Sequence, residues 1–429
     1  MSAGWKSRTA VINILRKFEE DGKLKVHVDS ISKGFNHQDR AFIRELSVGI
    51  VRNLKLIDFC VQKVLKKPLK QQPSVQRNAL RLIFYQLKFT GVPSYAVLNE
   101  TVEAVKKVSD KKSAGFVNAV GRKLLNFDCQ KHINAIRSKI KRFCLVQSFE
   151  EWMFKRWLKF YGNESYEIAE SLNKNAPLFL RVNTLKIDEK EFKRILNERN
   201  IEWEESPISP LVVRIKGRVV IEELPGYDRG YFYIQDPASF YSVLLLSPKP
   251  KERILEIASA PGGKTTAIAQ LVKNACEIVA VDVSEERIEI LKENCKKLGV
   301  ENVVPVVTDI TEDLDFLRKN RHSFDRILID APCSGTGVIR RHPEGKWNKS
   351  EEFIKRCSEL QKKMLKCARS LVKPNGIVVY SVCSLEREEG EEIKELAEEI
   401  SFKVLTSERL FPHRHNTDGF YYLKVRPLH

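Results

Sequence analysis

The sequence predicts a multidomain protein in which an all-α bundle, a small α+β domain and an α/β domain with a doubly wound sheet follow one another. Three observations lead there. Residues 1–140 show only helical periodicity, residues 145–245 mix short strands with helices, and residues 246–429 alternate apolar strands with helical runs. A length of 429 residues favours two or three domains, and 42% hydrophobic content is ample for their cores.

In the first part, AVINILRKF (10–18) and VNAVGRKLL (117–125) carry the helical spacing, and Gly-Val-Pro (91–93) and Lys-Pro (67–68) separate helices. In the second part, LFLRVNT (178–184), LVVRIKG (211–217) and GYFYIQD (230–236) read as strands, with a helix over EKEFKRILNERN (189–200). In the third part, the strand RILEIA (253–258) enters a glycine-containing loop that opens the helical run TTAIAQLVKN (265–274), and the strand EIVAVDV (277–283) follows. NVVPVVTDI (302–310), FDRILIDAPCS (324–334) and NGIVVYSVCS (375–384) read as further strands, and the charge run EREEGEEIKELAEE (386–399) as a solvated helix face. No internal repeat or low-complexity linker interrupts the order.

Lys and Arg number 74 against 56 Asp and Glu, a net charge of +18. That excess suits a polyphosphate partner, although Lys/Glu-rich surfaces also arise in heat-adapted proteins. No apolar run approaches the ~18 residues of a membrane span, and the amino terminus reads as an amphipathic helix; a soluble, cytoplasmic protein with no membrane association is expected. Nine cysteines without a C-x-x-C pair argue against a metal site and against a disulfide framework. Cys60, Cys129, Cys144, Cys276, Cys295, Cys357 and Cys367 sit in helical or apolar patterns and read as core thiols.

Cys333 and Cys383 differ, because each follows a strand and precedes turn residues. Ligands of open parallel sheets bind beyond the carboxyl ends of the strands, so Asp282, Asp309, Asp330, Cys333 and Cys383 are expected on one rim. The loop of Ala258, Ser259, Ala260, Pro261, Gly262, Gly263 and Lys264 is not G-x-G-x-x-G, which weakens a nicotinamide oxidoreductase and favours a cofactor without phosphates. Thiols beside such a loop suit carbon methylation of a pyrimidine. Cytosine C5 is a poor nucleophile until a sulfur adds at C6. In VIRRHPEGKW (338–347), Arg340, Arg341 and Lys346 are candidates for RNA phosphates and Trp347 for stacking on a base, while His342 reads as structural.

Residues 253–429, with APCSGTGVIRRHPEGKW (331–347), resemble the S-adenosylmethionine-dependent RNA 5-methylcytosine methyltransferases, whose catalytic domain is Rossmann-like. DRAFIRELSVGIVRN (39–53), RNALRLIFYQLKFTGVPSYAVLNETVE (77–103) and GFVNAVGRKLL (115–125) resemble the helical domain of the antitermination factor NusB. LRVNTLKI (180–187) and LPGYDRGYFYIQDPAS (224–239) resemble the RNA-binding domain that links the two. The order is that of the family's members acting on small-subunit (16S) ribosomal RNA, and the resemblance implies that substrate.

It further implies S-adenosylmethionine on residues 258–264, on Asp282 through its ribose, on Asp309 near its adenine amine and on Asp330. Asp330 would meet the N3 and N4 edge of cytosine, Cys383 would be the nucleophile and Cys333 would assist product release. Two positions depart from the pattern: Ala258 stands where many members have cysteine, and Val382 where threonine is usual before the nucleophile. The chain is expected to be a monomer or weakly associating. Transfer RNA is the rival substrate, and a non-catalytic RNA-binding assembly factor the rival class.

Overall fold

The computed structural model describes residues 4–217 and 219–428. Two compact units account for them: residues up to Asn173 together with Arg341–Asn348, and Lys174–Arg340 together with Lys349 onward.

The first unit is helical. Helices Gly4–Asp21, His37–Arg52, Ser74–Phe89, Ser94–Val108 and Lys111–Leu125 bury one face each, and Ile12, Leu15, Ile43, Leu46, Ile83, Val97 and Val117 meet in a common core. Local chemistry sets their starts. The Asn36 side chain accepts from the Asp39 amide (2.9 Å), and Asp110 accepts from that of Ser113 (2.6 Å), satisfying amides that a helix leaves unpaired. Pro73 and Pro93 precede helices at Ser74 and Ser94. At Gly49 a Cβ would lie 1.9 Å from the Tyr85 hydroxyl, so only glycine lets these two helices pack as they do.

Arg81 links Glu19 (2.5 Å) and Asp58 (2.6 Å) across this bundle. Burial alone would raise the Glu19 carboxyl, but hydrogen bonding from Arg77 and the charge of Arg81 bring it down to about 2. Cys60 and Cys129, expected as free thiols, form a disulfide across 69 residues of sequence; the remaining seven cysteines are free. Helices also continue past residue 140, at Lys139–Val146, Glu151–Tyr161 and Glu164–Leu172. Phe143, Phe154 and Tyr166 join them through ring contacts of 4.6–5.1 Å.

The second unit holds two sheets. β1 (Leu178–Val182), β2 (Trp203–Ser206), β3 (Ser209–Ile215) and β4 (Phe232–Ile234) form an antiparallel sheet in the order β2-β3-β1-β4, on which helix Glu189–Glu198 packs Phe192 and Leu196. The larger sheet comprises β5 (Arg253–Ile257), β6 (Glu277–Asp282), β7 (Val303–Val307), β8 (Phe324–Asp330), β9 (Val372–Val382), β10 (Phe402–Leu410) and β11 (Phe420–Pro427). Its order is β10-β11-β9-β8-β5-β6-β7, parallel from β9 to β7, with β11 antiparallel to both its neighbours. From β5 the chain winds outward through β6 and β7, then crosses back to β8 and β9. That reversal puts the switch point, where such sheets bind ligands, between β5 and β8.

Among the described residues no helix is long and apolar enough to cross a membrane. Nor does any group of three or more His, Cys, Asp or Glu there form a candidate metal site.

Candidate active site

The loop after β5 turns through Ala258 (φ 59°) and Gly262 (φ 97°) before helix Gly263–Leu271. A positive φ costs little at glycine and strains alanine, so neighbours must hold the turn. They do so from both sides. The Ser259 amide donates to Val281 O (2.9 Å) and the Ala260 amide to Asp282 Oδ2 (3.2 Å), while Arg287 donates to Ala260 O and Asn294 to Pro261 O (2.8 Å).

From β1, Arg181 donates to Gly263 O (2.6 Å) and Thr266 Oγ1 (2.9 Å), with Gln235 also accepting (2.5 Å). Burial lowers this guanidinium to about 10. The small sheet thus clamps the start of the loop's helix, a role that no motif in the sequence announced.

Asp282, at the end of β6, is buried, and its Oδ1 accepts from the Ser284 amide (3.2 Å) and pairs with Arg287 (3.3 Å). Val283 beside it is 62% exposed, an apolar platform that sequence reading missed. Asp309, beyond β7, is exposed and accepts through Oδ1 from the Thr311 amide (2.9 Å) and hydroxyl (2.7 Å).

Across the switch point, Lys264 Nζ pairs with Asp330 Oδ2 at 2.5 Å, tying the glycine loop to the end of β8. Lys264 is buried and Asp330 half-buried, so the carboxylate faces the rim while its counter-charge lies beneath. Glu256, on β5, is also buried. Burial pushes its carboxyl up to about 8 against the pull of Thr265 and Lys264, so a proton stays on it at neutral pH.

Beyond Asp330 and Val382 the two thiols meet. Cys333 Sγ lies 3.2 Å from Cys383 Sγ, both half-buried, on loops leaving the adjacent parallel strands β8 and β9. The hydrogen bond with Cys383 and then burial push the Cys333 thiol well above its ordinary value of 9.0. One sulfur is therefore held as a thiol beside the other. Such a pair can offer one nucleophile and one proton donor.

The segment expected to meet RNA is different. Arg340 is 4% exposed and bonds to Asp418 (2.6 Å) and Asp236 (3.3 Å). Lys346 is 1% exposed, and its ammonium donates to Arg52 O (3.0 Å), Gln147 O (3.0 Å) and Asn173 Oδ1 (2.5 Å) above the Phe149 ring. Trp347 donates its indole N–H to Val51 O (2.8 Å) and packs on the helical core. Arg340 is thus a structural cation paired with two carboxylates, Lys346 a buried hydrogen-bond donor whose pKa burial pushes well down, and Trp347 a packing residue. Arg341 is half-exposed and His342 exposed, 3.5 Å from Glu344.

Lys346→Met is therefore expected to destabilise the helical unit by about 3 kcal/mol through unpaired acceptors. Thermal unfolding checks this, and the salt dependence of RNA binding should stay unchanged in the same variant.

Comparison with known proteins agrees with this layout. The family described as 16S rRNA methyltransferase RsmB/F matches residues 243–426, the NusB family matches 6–126, and the RsmF/B-like ferredoxin-like domain matches 149–222. The crystal structure of PH0851 superposes with a TM-score of 0.85 at 26% identity, covering 99% of both chains. A methyltransferase homolog from Pyrococcus horikoshii superposes with a TM-score of 0.62 at 31% identity, covering 68% of this chain and 100% of its own. Ribosomal RNA small subunit methyltransferase B of Photorhabdus laumondii is 30% identical over 416 residues, 95% of each chain. Since that likeness spans all three domains, the chain belongs to the ribosomal RNA small subunit methyltransferase B family.

Proposed function

We propose that the protein methylates C5 of a cytosine in small-subunit ribosomal RNA, using S-adenosylmethionine and Cys383 as the nucleophile. The observation that carries this reading is the 3.2 Å thiol pair beside the Lys264–Asp330 pair at the switch point. Carbon alkylation of a pyrimidine needs a sulfur that adds and leaves.

The loop suits the cofactor. Gly262 gives the loop its positive-φ turn, Asp282 retains lone pairs for a ribose diol, Val283 offers an apolar surface and Asp309 an acceptor for an amine. Ala258, Ser259, Ala260, Pro261 and Lys264 complete the cradle. When bound, S-adenosylmethionine supplies an electrophilic methyl group.

Cys383 forms a bond to C6, and the displaced π electrons make C5 nucleophilic. Asp330 meets the N3 and N4 edge, where a fixed carboxyl group lowers the barrier as charge develops, with Lys264 holding it in place. Once C5 carries the methyl group, loss of its proton and of the Cys383 sulfur restores the aromatic ring. Cys333, already in hydrogen-bond reach of Cys383, assists that release. The net charge of +18 supports a polyanionic substrate.

Transfer of tritiated methyl groups to small-subunit ribosomal RNA lacking the modification tests the reading. Incorporation there and not into transfer RNA is expected. Incorporation into transfer RNA alone would move the substrate, and no incorporation despite cofactor binding would make the protein an assembly factor.

A further inference from the structure

Glu389 lies in the charge run that reads as a solvated helix face, yet it is 0% exposed. The helix begins only at Glu391, and the preceding turn, Arg387–Glu389, directs this side chain inward. Its Oε1 accepts from the Ser334 amide (2.8 Å) and from Gln361 Nε2 (3.0 Å), and its Oε2 accepts from the hydroxyls of both Ser334 and Ser384.

Those serines directly follow the two cysteines. A single carboxylate therefore bolts the Cys333 loop to the Cys383 loop. Further bonds brace it: Gln361 Nε2 also donates to Pro332 O (2.8 Å), the Leu385 amide to Thr336 Oγ1 (2.9 Å), and the Tyr380 hydroxyl to Glu389 O (2.8 Å).

We infer that Glu389 is a positioning residue that sets the distance between the two thiols. It touches neither sulfur, and it acts through Ser334 and Ser384. β8 and β9 align the loops only as far as the pairing of Asp330 with Ser381, two to three residues short of the cysteines. Beyond the strand ends one backbone bond, from the Gly337 amide to Cys383 O (3.0 Å), and a contact between the Ser334 and Ser384 hydroxyls (3.1 Å) join the loops, and the carboxylate locks both serines to a common anchor. A misplacement of about 1 Å at such a pair costs on the order of 100-fold in rate. The catalytic purpose rests on the function proposed above; the positioning itself does not.

The test therefore reads the thiols directly. Diamide oxidises two neighbouring thiols to a disulfide, the diazene taking up both protons and both electrons as a hydrazine. In the full chain it should join Cys333 to Cys383 rapidly, as followed by peptide mapping. Glu389→Ala should slow this at least about tenfold, since loops released from a common anchor lose effective concentration. Glu389→Gln should remain near wild type, because its amide oxygen keeps the Ser334 amide and Gln361 while both serine hydroxyls can turn to accept.

Ser334→Ala combined with Ser384→Ala gives a second route to the same result if Glu389→Ala fails to fold. Cofactor affinity should hold in each variant. Methyl transfer should fall with the disulfide rate and recover in Glu389→Gln. Unchanged disulfide formation in Glu389→Ala or in the double serine variant overturns the inference, as does a wild-type chain in which Cys333 and Cys383 do not join. Absence of methyl transfer in the wild type would strike the proposed function alone.

Discussion

Cys383→Ala abolishes methyl transfer and forms no covalent RNA complex, whereas Cys333→Ala accumulates a denaturant-resistant adduct: this is the outcome expected of the thiol pair. Without the Cys383 sulfur nothing activates the ring. Without the Cys333 thiol, 3.2 Å away, the ring is methylated but the C6–S bond is slow to break. A denaturing gel of each variant with labelled RNA reads both results, the adduct appearing as a shifted band. The raised Cys333 pKa points the same way, because it leaves that sulfur with less of the thiolate that acts as nucleophile. Adduct in Cys383→Ala and none in Cys333→Ala would reverse the roles.

The second large effect concerns Lys264 and Asp330. Asp330→Asn is expected to lower kcat by about 100- to 1000-fold, the scale for removing a group fixed against developing charge. Lys264→Met should cost nearly as much, because it releases the carboxylate that it holds at 2.5 Å. The double variant should lose little more than either single one, as partners in one interaction are non-additive. Stability separates the two. Asp330→Asn leaves the buried Lys264 ammonium without its counter-charge, whereas Lys264→Met leaves a half-buried carboxylate with access to water, so the former should unfold at lower temperature. Single-turnover kinetics and thermal melts of the three variants measure this, and additive losses would contradict it.

Much of the architecture was legible because apolar runs and turn residues mark it. β6 to β9 each appear as a run ending in a polar or reactive residue, and parallel packing puts those ends on one edge. The β10–β11 pair carries no such ending, and nothing in Phe402–Leu410 advertises chemistry.

The site shows the same division. Thiols and strand-end carboxylates were found from position along strands, a local signal. Arg340 and Lys346 were misread because exposure was inferred from charge, while their partners stand far away in sequence: Asp236 and Asp418 for one, Arg52, Gln147 and Asn173 for the other. Glu389 was hidden by averaging, since it and Glu386 are buried in a run whose other charges reach solvent. The Cys60–Cys129 disulfide has no spacing signature at all.

Bisulfite sequencing of small-subunit ribosomal RNA tests the central claim most directly. RNA lacking the modification, incubated with the protein and S-adenosylmethionine, should show one cytosine newly protected from conversion, and the same RNA treated with Cys383→Ala should show none. Complete conversion at every cytosine in the wild-type sample, or protection that persists with Cys383→Ala, would contradict the account.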